Sequence, residues 1–278
     1  MKNKIGFIGQ GWIGSHYADN FKERGYNIVR YDISPKYKKN KNKLKECDII
    51  FVAVPTPTTP EGFDDSILID AIKNTSKGQI VIIKSTIIIG TTEKIQKLFP
   101  DRYIMHSPEF LRERNAKFDV DYPERNIIGY TKKSKSKAQQ VLDVMPPAPI
   151  KSIVKSEIAE LVKYAGNVFL TMKVLFANIV YDLCQDNKID YNEVRALWGG
   201  DSRIGYSHLN VNENGRGAGG HCFIKDLSAF TEMYGSINNR ENWSITAHEL
   251  LQSLEEYNII LLKKSKKDLD LLKDIYGE

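Results

Sequence analysis

Along the first half of the chain the apolar residues come in short runs, and each run stops at a turn residue or a polar side chain. Residues 5–8 (Ile-Gly-Phe-Ile) lead straight into Gly9-Gln10-Gly11-Trp12-Ile13-Gly14. Residues 15–24 have helical spacing and are closed by Gly25; residues 27–31 form a second run that stops at Asp32. Further strand-like runs lie at 48–54, 79–84, 103–106 and 126–130, with a helical pattern over 66–76. Apolar runs without alternation read as strands buried on both faces. Strands alternating with helices predict an α/β fold, a Rossmann-like doubly wound parallel sheet.

The pattern changes after Met145-Pro146-Pro147-Ala148-Pro149. Over residues 156–186, Ile158, Leu161, Ala165, Val168, Met172, Leu175, Ile179 and Leu183 recur at every third or fourth position, the period of one long amphipathic helix. At about 1.5 Å per residue it reaches roughly 45 Å. Such a helix calls for a partner surface, and dimerisation through it is the expectation. Helical spacing resumes over 191–198, 225–234 and beyond Ser244, where Leu250, Leu254, Tyr257 and Leu261 share one side. A charged helical pattern continues through Ile275. The expected division is a sheet domain over residues 1–150 and an all-helical domain over 151–278.

Composition narrows the function classes. The 278 residues are 41% hydrophobic, enough for two cores. The net charge of +5 lies largely in lysine clusters at 36–45, 132–137 and 263–267. None carries a nucleic-acid motif, so they read as solvated loops and helix ends, and no nucleic-acid partner is expected. A basic surface does favour an anionic substrate such as a nucleotide. Cys47, Cys184 and Cys222 are too few and too scattered for a disulfide framework. With no signal-peptide pattern at the start, they point to the cytoplasm. No Cys or His pair has metal-ligand spacing. The longest apolar run, 80–89, is broken by Lys84, Ser85 and Thr86, so no membrane span is expected.

Two stretches carry chemistry. The first is strand, G-x-G-x-x-G, helix, strand, acid. Gly9 allows the tight turn, Gly11 lets a pyrophosphate approach the backbone, and Gly14 permits close helix–strand packing. The helix start favours phosphate. Asp32 can accept from a ribose diol and would repel a 2′-phosphate, which favours NAD over NADP. The second is Gly215-Arg216-Gly217-Ala218-Gly219-Gly220-His221-Cys222-Phe223-Ile224-Lys225-Asp226. A thiol there, behind flexible backbone and at a helix start, has its thiolate favoured; the other reading is a glycine-rich turn with an inert thiol. Thr56, Ser85, Thr86, Glu109 and Glu113 follow strands and should converge on one sheet edge, although each alone also fits turn and cap chemistry. Lys163 and Asn167 share a helix face, which alone fits a solvated stripe equally well.

Taken in order, the motifs resemble the UDP-glucose/GDP-mannose dehydrogenase family. They are G-Q-G-W-I-G at 9–14, V-P-T-P-T at 54–58, K-S-T-I-I-I-G-T-T at 84–92 and S-P-E-F-L-R-E at 107–113. K-Y-A-G-N at 163–167, R-I-G at 203–205 and G-A-G-G-H-C-F-I-K-D at 217–226 complete the set. The resemblance implies an NAD-dependent oxidation of a nucleotide sugar, UDP-glucose foremost, from C6 alcohol to carboxylate through a thioester on Cys222. It implies catalytic roles for Cys222, Lys163, Asn167, Asp226, Glu109 and Thr86. It implies cofactor contacts at Gly9, Gly11, Trp12, Ile13, Gly14, Asp32, Pro55, Thr56, Thr58, Ser85, Thr86, Glu113 and Lys225. Substrate contacts are implied at Glu109, Phe110, Leu111, Lys163, Asn167, Arg203, Gly219, Gly220 and Cys222, with Arg203 reaching the neighbouring subunit of a homodimer and no metal.

Three departures stand out. The segment between Asp32 and Asp48 is short, Ile224 replaces the family's proline, and Arg114 replaces its usual glycine. The family's third, nucleotide-gripping domain has no counterpart in these residues. Recognition of the nucleotide is therefore expected to fall to a partner chain or to the sugar and pyrophosphate, or the substrate is a different molecule. Two other readings are a two-electron β-hydroxyacid dehydrogenase using Lys163 and Asn167, and a non-catalytic NAD-binding relative.

Overall fold

The computed structural model describes residues 3–238 and 241–277, and of Glu113 the backbone without the side chain. The chain divides into two units, Met1–Pro57 with Asp64–Lys163, and Thr58–Phe63 with Tyr164–Glu278.

In the first unit the apolar runs become strands β1 (Lys4–Ile8), β2 (Asn27–Tyr31) and β3 (Ile49–Val52). After a short hairpin, β4 (Thr58–Thr59) and β5 (Gly62–Phe63), that groups with the second unit, come β6 (Ile80–Ile83), β7 (Tyr103–His106), β8 (Arg125–Tyr130) and β9 (Ile150–Lys155). The sheet order is β2-β1-β3-β6-β7-β8-β9. Helices α1 (Trp12–Glu23), α2 (Ser66–Ile72), α3 (Thr91–Leu98), α4 (Ala116–Asp121) and α5 (Ala138–Val144) connect the strands. The core holds Phe7 stacked on Phe51 at 5.3 Å between ring centroids, with Phe21 edge-on to Phe7 at 5.4 Å.

Register matters more for the site than the core does. Tyr31 pairs with Ile8, Ile8 with Val52, Val52 with Ile83, and Ile83 with His106. These are the last residues of five parallel strands, so the loops that follow all leave from one edge. The sheet is not parallel throughout, as the sequence led us to expect. β8 runs antiparallel to β7, and β9 is parallel to β8 through α5. The loop and α4 after β7 bring the chain back in the opposite direction, and β9, half polar and at the sheet edge, carries no buried-strand signature.

The second unit is helical: α6 (Ser156–Asp186), α7 (Tyr191–Gly199), α8 (His221–Gly235), α9 (Asn242–Lys264) and α10 (Leu269–Tyr276). The division between the units falls inside α6. Val168, Leu227 and Leu251 form one cluster, and Ile224, Leu262, Leu272 and Ile275 another. The sequence led us to expect one apolar face on α6; there are two. Tyr164, Val168, Leu175 and Cys184 are buried, whereas Phe169, Met172, Phe176, Ile179 and Leu183 form an outward stripe. By length and composition α6 could cross a membrane, which a search for an unbroken apolar run overlooks. Its polar residues are engaged within the unit: Lys173 donates to the Ile204 carbonyl, and Asn178 and Asp182 accept from Arg216. These contacts tie this part of α6 to the rest of the second unit.

Candidate active site

In the first unit the glycine turn is built by exclusion. Gly9 has φ +87°, and a Cβ there would stand 2.1 Å from the Ala53 carbonyl oxygen. A Cβ on Gly14 would stand 2.0 Å from the Gly9 oxygen. Neither position tolerates a side chain. Gly11 differs, since a Cβ there would meet nothing within 4 Å. The space in front of Gly11 is open to a ligand. α1 begins at Trp12, three residues earlier than its spacing predicts, so the first N–H groups, from Trp12, Ile13 and Gly14, head the helix without intrahelical acceptors. No acidic residue lies in that first turn to compete with an anion.

Asp32 follows β2 at the same edge. Its carboxylate accepts from Gln10 N at 2.7 Å and Ser34 N at 2.8 Å. Burial pushes its pKa up, but these N–H groups outweigh burial and hold it below the usual carboxylate range. The next two loops are tied together. Ser85 Oγ donates to the Val54 oxygen (2.7 Å) and accepts from Val54 N (3.0 Å), and Thr56 Oγ1 donates to the Thr86 oxygen (2.6 Å). Pro55 is exposed. Thr58 lies in β4, with its hydroxyl buried and no hydrogen-bond partner among the described residues. An open glycine turn heading a helix, with an oriented carboxylate beside it, fits a dinucleotide.

The fourth loop carries Glu109, which is buried. Its Oε2 lies 3.1 Å from Lys84 Nζ, and its Oε1 accepts from Phe110 N at 2.7 Å. Lys84 is itself only 2% exposed and reaches Tyr17 OH at 3.2 Å and Ser107 Oγ at 3.4 Å. Burial lowers the Lys84 pKa against the pull of Glu109. Burial, reinforced by Glu109, raises Tyr17 well above the usual phenol. His106 donates from Nδ1 to the Ile83 oxygen at 3.0 Å, and its Nε2 has no hydrogen-bond partner among the described residues. Burial, then the Lys84 charge, pushes its pKa down to about 3. The Phe110 ring lies under the Arg125 guanidinium at 3.9 Å and is 6.0 Å from Lys163 Nζ. Leu111 packs on the sheet core, and the Glu113 side chain lies outside the described residues. The sequence reading gave Lys84 no role. Its signal was a lysine closing an otherwise apolar strand, but its partner is distant in sequence.

In the second unit, α8 opens at His221, four residues before its periodicity shows. Gly220 caps it with φ +84° and ψ 152°. Cys222 is exposed on the second residue of this helix, and Asp226, buried, is one turn further on. Asn167 Nδ2 donates to Asp226 Oδ2 at 2.5 Å, which joins α6 to α8. Lys163, also buried, precedes Asn167 by one turn of α6. Lys225 is buried on α8. Arg203 is a surface residue held by its own Asp201 at 2.6 Å. The glycine loop before Cys222 is anchored by Arg216, which donates to Asp182 (2.6 and 2.7 Å) and to Asn178 Oδ1 (2.8 Å), and by Asn258, which bonds both backbone groups of Ala218. The sequence reading missed both anchors. Among the described residues no His/Cys/Asp/Glu cluster could hold a metal.

Comparisons with known proteins match this arrangement. The model of the UDP-glucose/GDP-mannose dehydrogenase family, NAD binding domain, matches residues 36–144, and that of the same family's central domain matches residues 157–258. The putative UDP-glucose 6-dehydrogenase YtcA of Bacillus subtilis is 35% identical over 205 residues, covering 68% of this chain and 46% of its own. The uncharacterized protein MJ1054 of Methanocaldococcus jannaschii is 30% identical over 313 residues, covering 97% of this chain and 34% of its own. The solved UDP-glucose dehydrogenase of Pyrobaculum islandicum superposes with a TM-score of 0.80 at 28% identity, over 92% of this chain and 68% of that one. The chain thus spans half or less of the length of these two curated relatives. Glycine turn, oriented Asp32, thiol-bearing helix and domain matches agree: the chain belongs to the UDP-glucose/GDP-mannose dehydrogenase family, over that family's NAD-binding and central domains.

Proposed function

We propose that this protein oxidises the C6 alcohol of a nucleotide sugar, UDP-glucose first among them, to the carboxylate through a covalent intermediate on Cys222. The observation that carries the reading is the setting of the thiol. Cys222 is exposed at the head of a fifteen-residue helix, with Asp226 one turn behind it bonded to Asn167. A helix start favours thiolate over thiol.

Gly9, Gly11, Gly14, the first turn of α1 and Asp32 hold the cofactor, with Thr56, Ser85 and Thr86 shaping the adjoining loops. Bound NAD supplies the hydride acceptor for both oxidation steps. Lys163 and Asn167 hold the C6 oxygen and stabilise the negative charge it acquires. Cys222 Sγ bonds to the aldehyde carbon left by the first oxidation, giving a thiohemiacetal, which the second oxidation turns into a thioester. Glu109 takes a proton from water as the water oxygen bonds to that carbon. The carbon–sulfur bond breaks, sulfur leaves as thiolate, and the acid is released. Asp226 orients Asn167 through their hydrogen bond and handles protons with Lys163. Arg203, a surface residue, reaches substrate bound in a neighbouring subunit of the dimer.

The outward stripe on α6 supports a homodimer. Phe169, Met172, Phe176, Ile179 and Leu183 are spaced three and four apart, the seam spacing of paired helices. Cys47, Cys184 and Cys222, none of them in a disulfide among the described residues, suit a reducing compartment, the cytoplasm.

The direct test is Cys222→Ser. Turnover of UDP-glucose should fall by about a thousandfold or more while NAD binding is kept. Unimpaired four-electron oxidation in that variant would remove Cys222 from the mechanism.

A further inference from the structure

The loop that presents Cys222 is gripped from a second direction by the turn between α9 and α10. Ser265 Oγ accepts from Arg216 N at 3.0 Å. Lys267 Nζ donates to the Gly217 oxygen at 3.1 Å and approaches the Gly215 oxygen at 3.5 Å. Asp268 Oδ2 accepts from Gly220 N at 2.8 Å. Gly220 is the capping residue of α8, two positions before the thiol. Gly219 lies beneath these side chains, and a Cβ there would stand 2.1 Å from Asp268 Oδ2 and 2.4 Å from Lys267 Cε. Gly219 is thus a glycine because this turn leaves no room for a side chain there.

The turn itself is strained. Four non-glycine residues among those described have positive φ, and two of them, Lys266 (φ 51°) and Asp268 (φ 54°), stand here on either side of Lys267. Non-glycine residues persist in that region only where surrounding contacts hold them. Lys266 closes α9, with its N–H donating to the Lys263 oxygen at 3.1 Å, and Asp268 is held by its bond to Gly220 N.

We infer that Asp268 is a positioning residue for the Cys222 nucleophile, acting through the Gly220 N–H to fix the backbone from which α8 and its thiol start. Lys267 and Ser265 complete the clamp. The inference rests on the nucleophile role of Cys222 given above. Asp268 touches neither substrate nor cofactor in this account; it sets the direction of the group that does.

The experiment compares the wild type with Asp268→Ala and Asp268→Asn. Both variants lose the charge, and only the Asn variant keeps an acceptor for Gly220, so a difference between them reports the hydrogen bond. Two readouts are taken: NADH formation from UDP-glucose per titrated Cys222 thiol, and the rate of Cys222 alkylation by iodoacetamide without substrate. Asp268→Ala should lower kcat per thiol about tenfold or more with KM for NAD unchanged, and Asp268→Asn should recover to within about threefold. Alkylation should be slower in the Ala variant than in the Asn variant by about threefold or more, because the helix start no longer holds the thiol in place. Equal rates in the two variants, or a loss confined to melting temperature with per-thiol turnover intact, would overturn the inference. If Asp268→Ala does not fold, Lys267→Met replaces it, with an expected fall of about threefold and wild-type turnover as the contrary result. Absence of NADH from the wild type would defeat the nucleotide-sugar reading alone, and the alkylation comparison would still decide the positioning role.

Discussion

Gly11 and Gly14 stand in one turn, yet the same substitution should affect them in different ways. Gly14→Ala forces a Cβ to within 2.0 Å of a backbone oxygen and should destabilise the first unit, by about 1–3 kcal/mol on the scale of other overpacked sites. Gly11→Ala meets nothing within 4 Å among the described residues beyond its own chain neighbours. Its melting temperature should stay at the wild-type value while NAD affinity falls about tenfold or more, since the methyl group takes the space a pyrophosphate needs. Thermal melts and NADH fluorescence titrations separate the two. Loss of stability at Gly11, or retained NAD affinity there, would contradict the assignment. His106 gives a second test at this scale. Its pKa falls from an ordinary 6.5 to about 3. The fold keeps it neutral, so stability is full above pH 6.5 and is lost as the pH falls toward 3, where the unfolded chain takes up the proton first. The slope is about 1.4 kcal/mol per pH unit, which gives roughly 2 kcal/mol at pH 5. Urea unfolding at pH 5 and pH 7 should show that difference, and His106→Gln should reduce it.

At the scale of elements, what could be read from the sequence follows how local the cause is. β1, β3 and β6 are visible because buried parallel strands need continuous apolar runs. The long helix is visible because its period is repeated over many turns. The start of α8 shows in the glycine run before Cys222 and not in the spacing, because Gly220 makes it with a backbone conformation that leaves no periodic trace and the apolar pattern appears only further along. β9 is hidden because an edge strand can be half polar. The Lys84–Glu109 pair and the Asp268–Gly220 bond are hidden for another reason: each joins residues that are remote along the chain and meet only after folding. The motifs named the candidate residues and left their supports unnamed. Arg216, Asn258 and Asp268 hold the loop that one of those motifs occupies.

At the scale of the molecule, two expectations concern assembly and activity. The outward stripe on α6 leaves Phe169 67% and Phe176 55% exposed in the single chain. A dimer through this seam would cover both. Phe169→Glu combined with Phe176→Glu should convert the protein to monomers by light scattering, because carboxylates do not bury without partners. A wild type that is already monomeric at micromolar concentration would remove the seam from the account. The proposed oxidation needs both bound NAD and the Cys222 thiol. The measurement that tests this most directly is the number of NADH formed per UDP-glucose consumed by the purified protein. Two are expected, with the count lost in Cys222→Ser. One NADH per molecule, or oxidation that proceeds without the thiol, would contradict it.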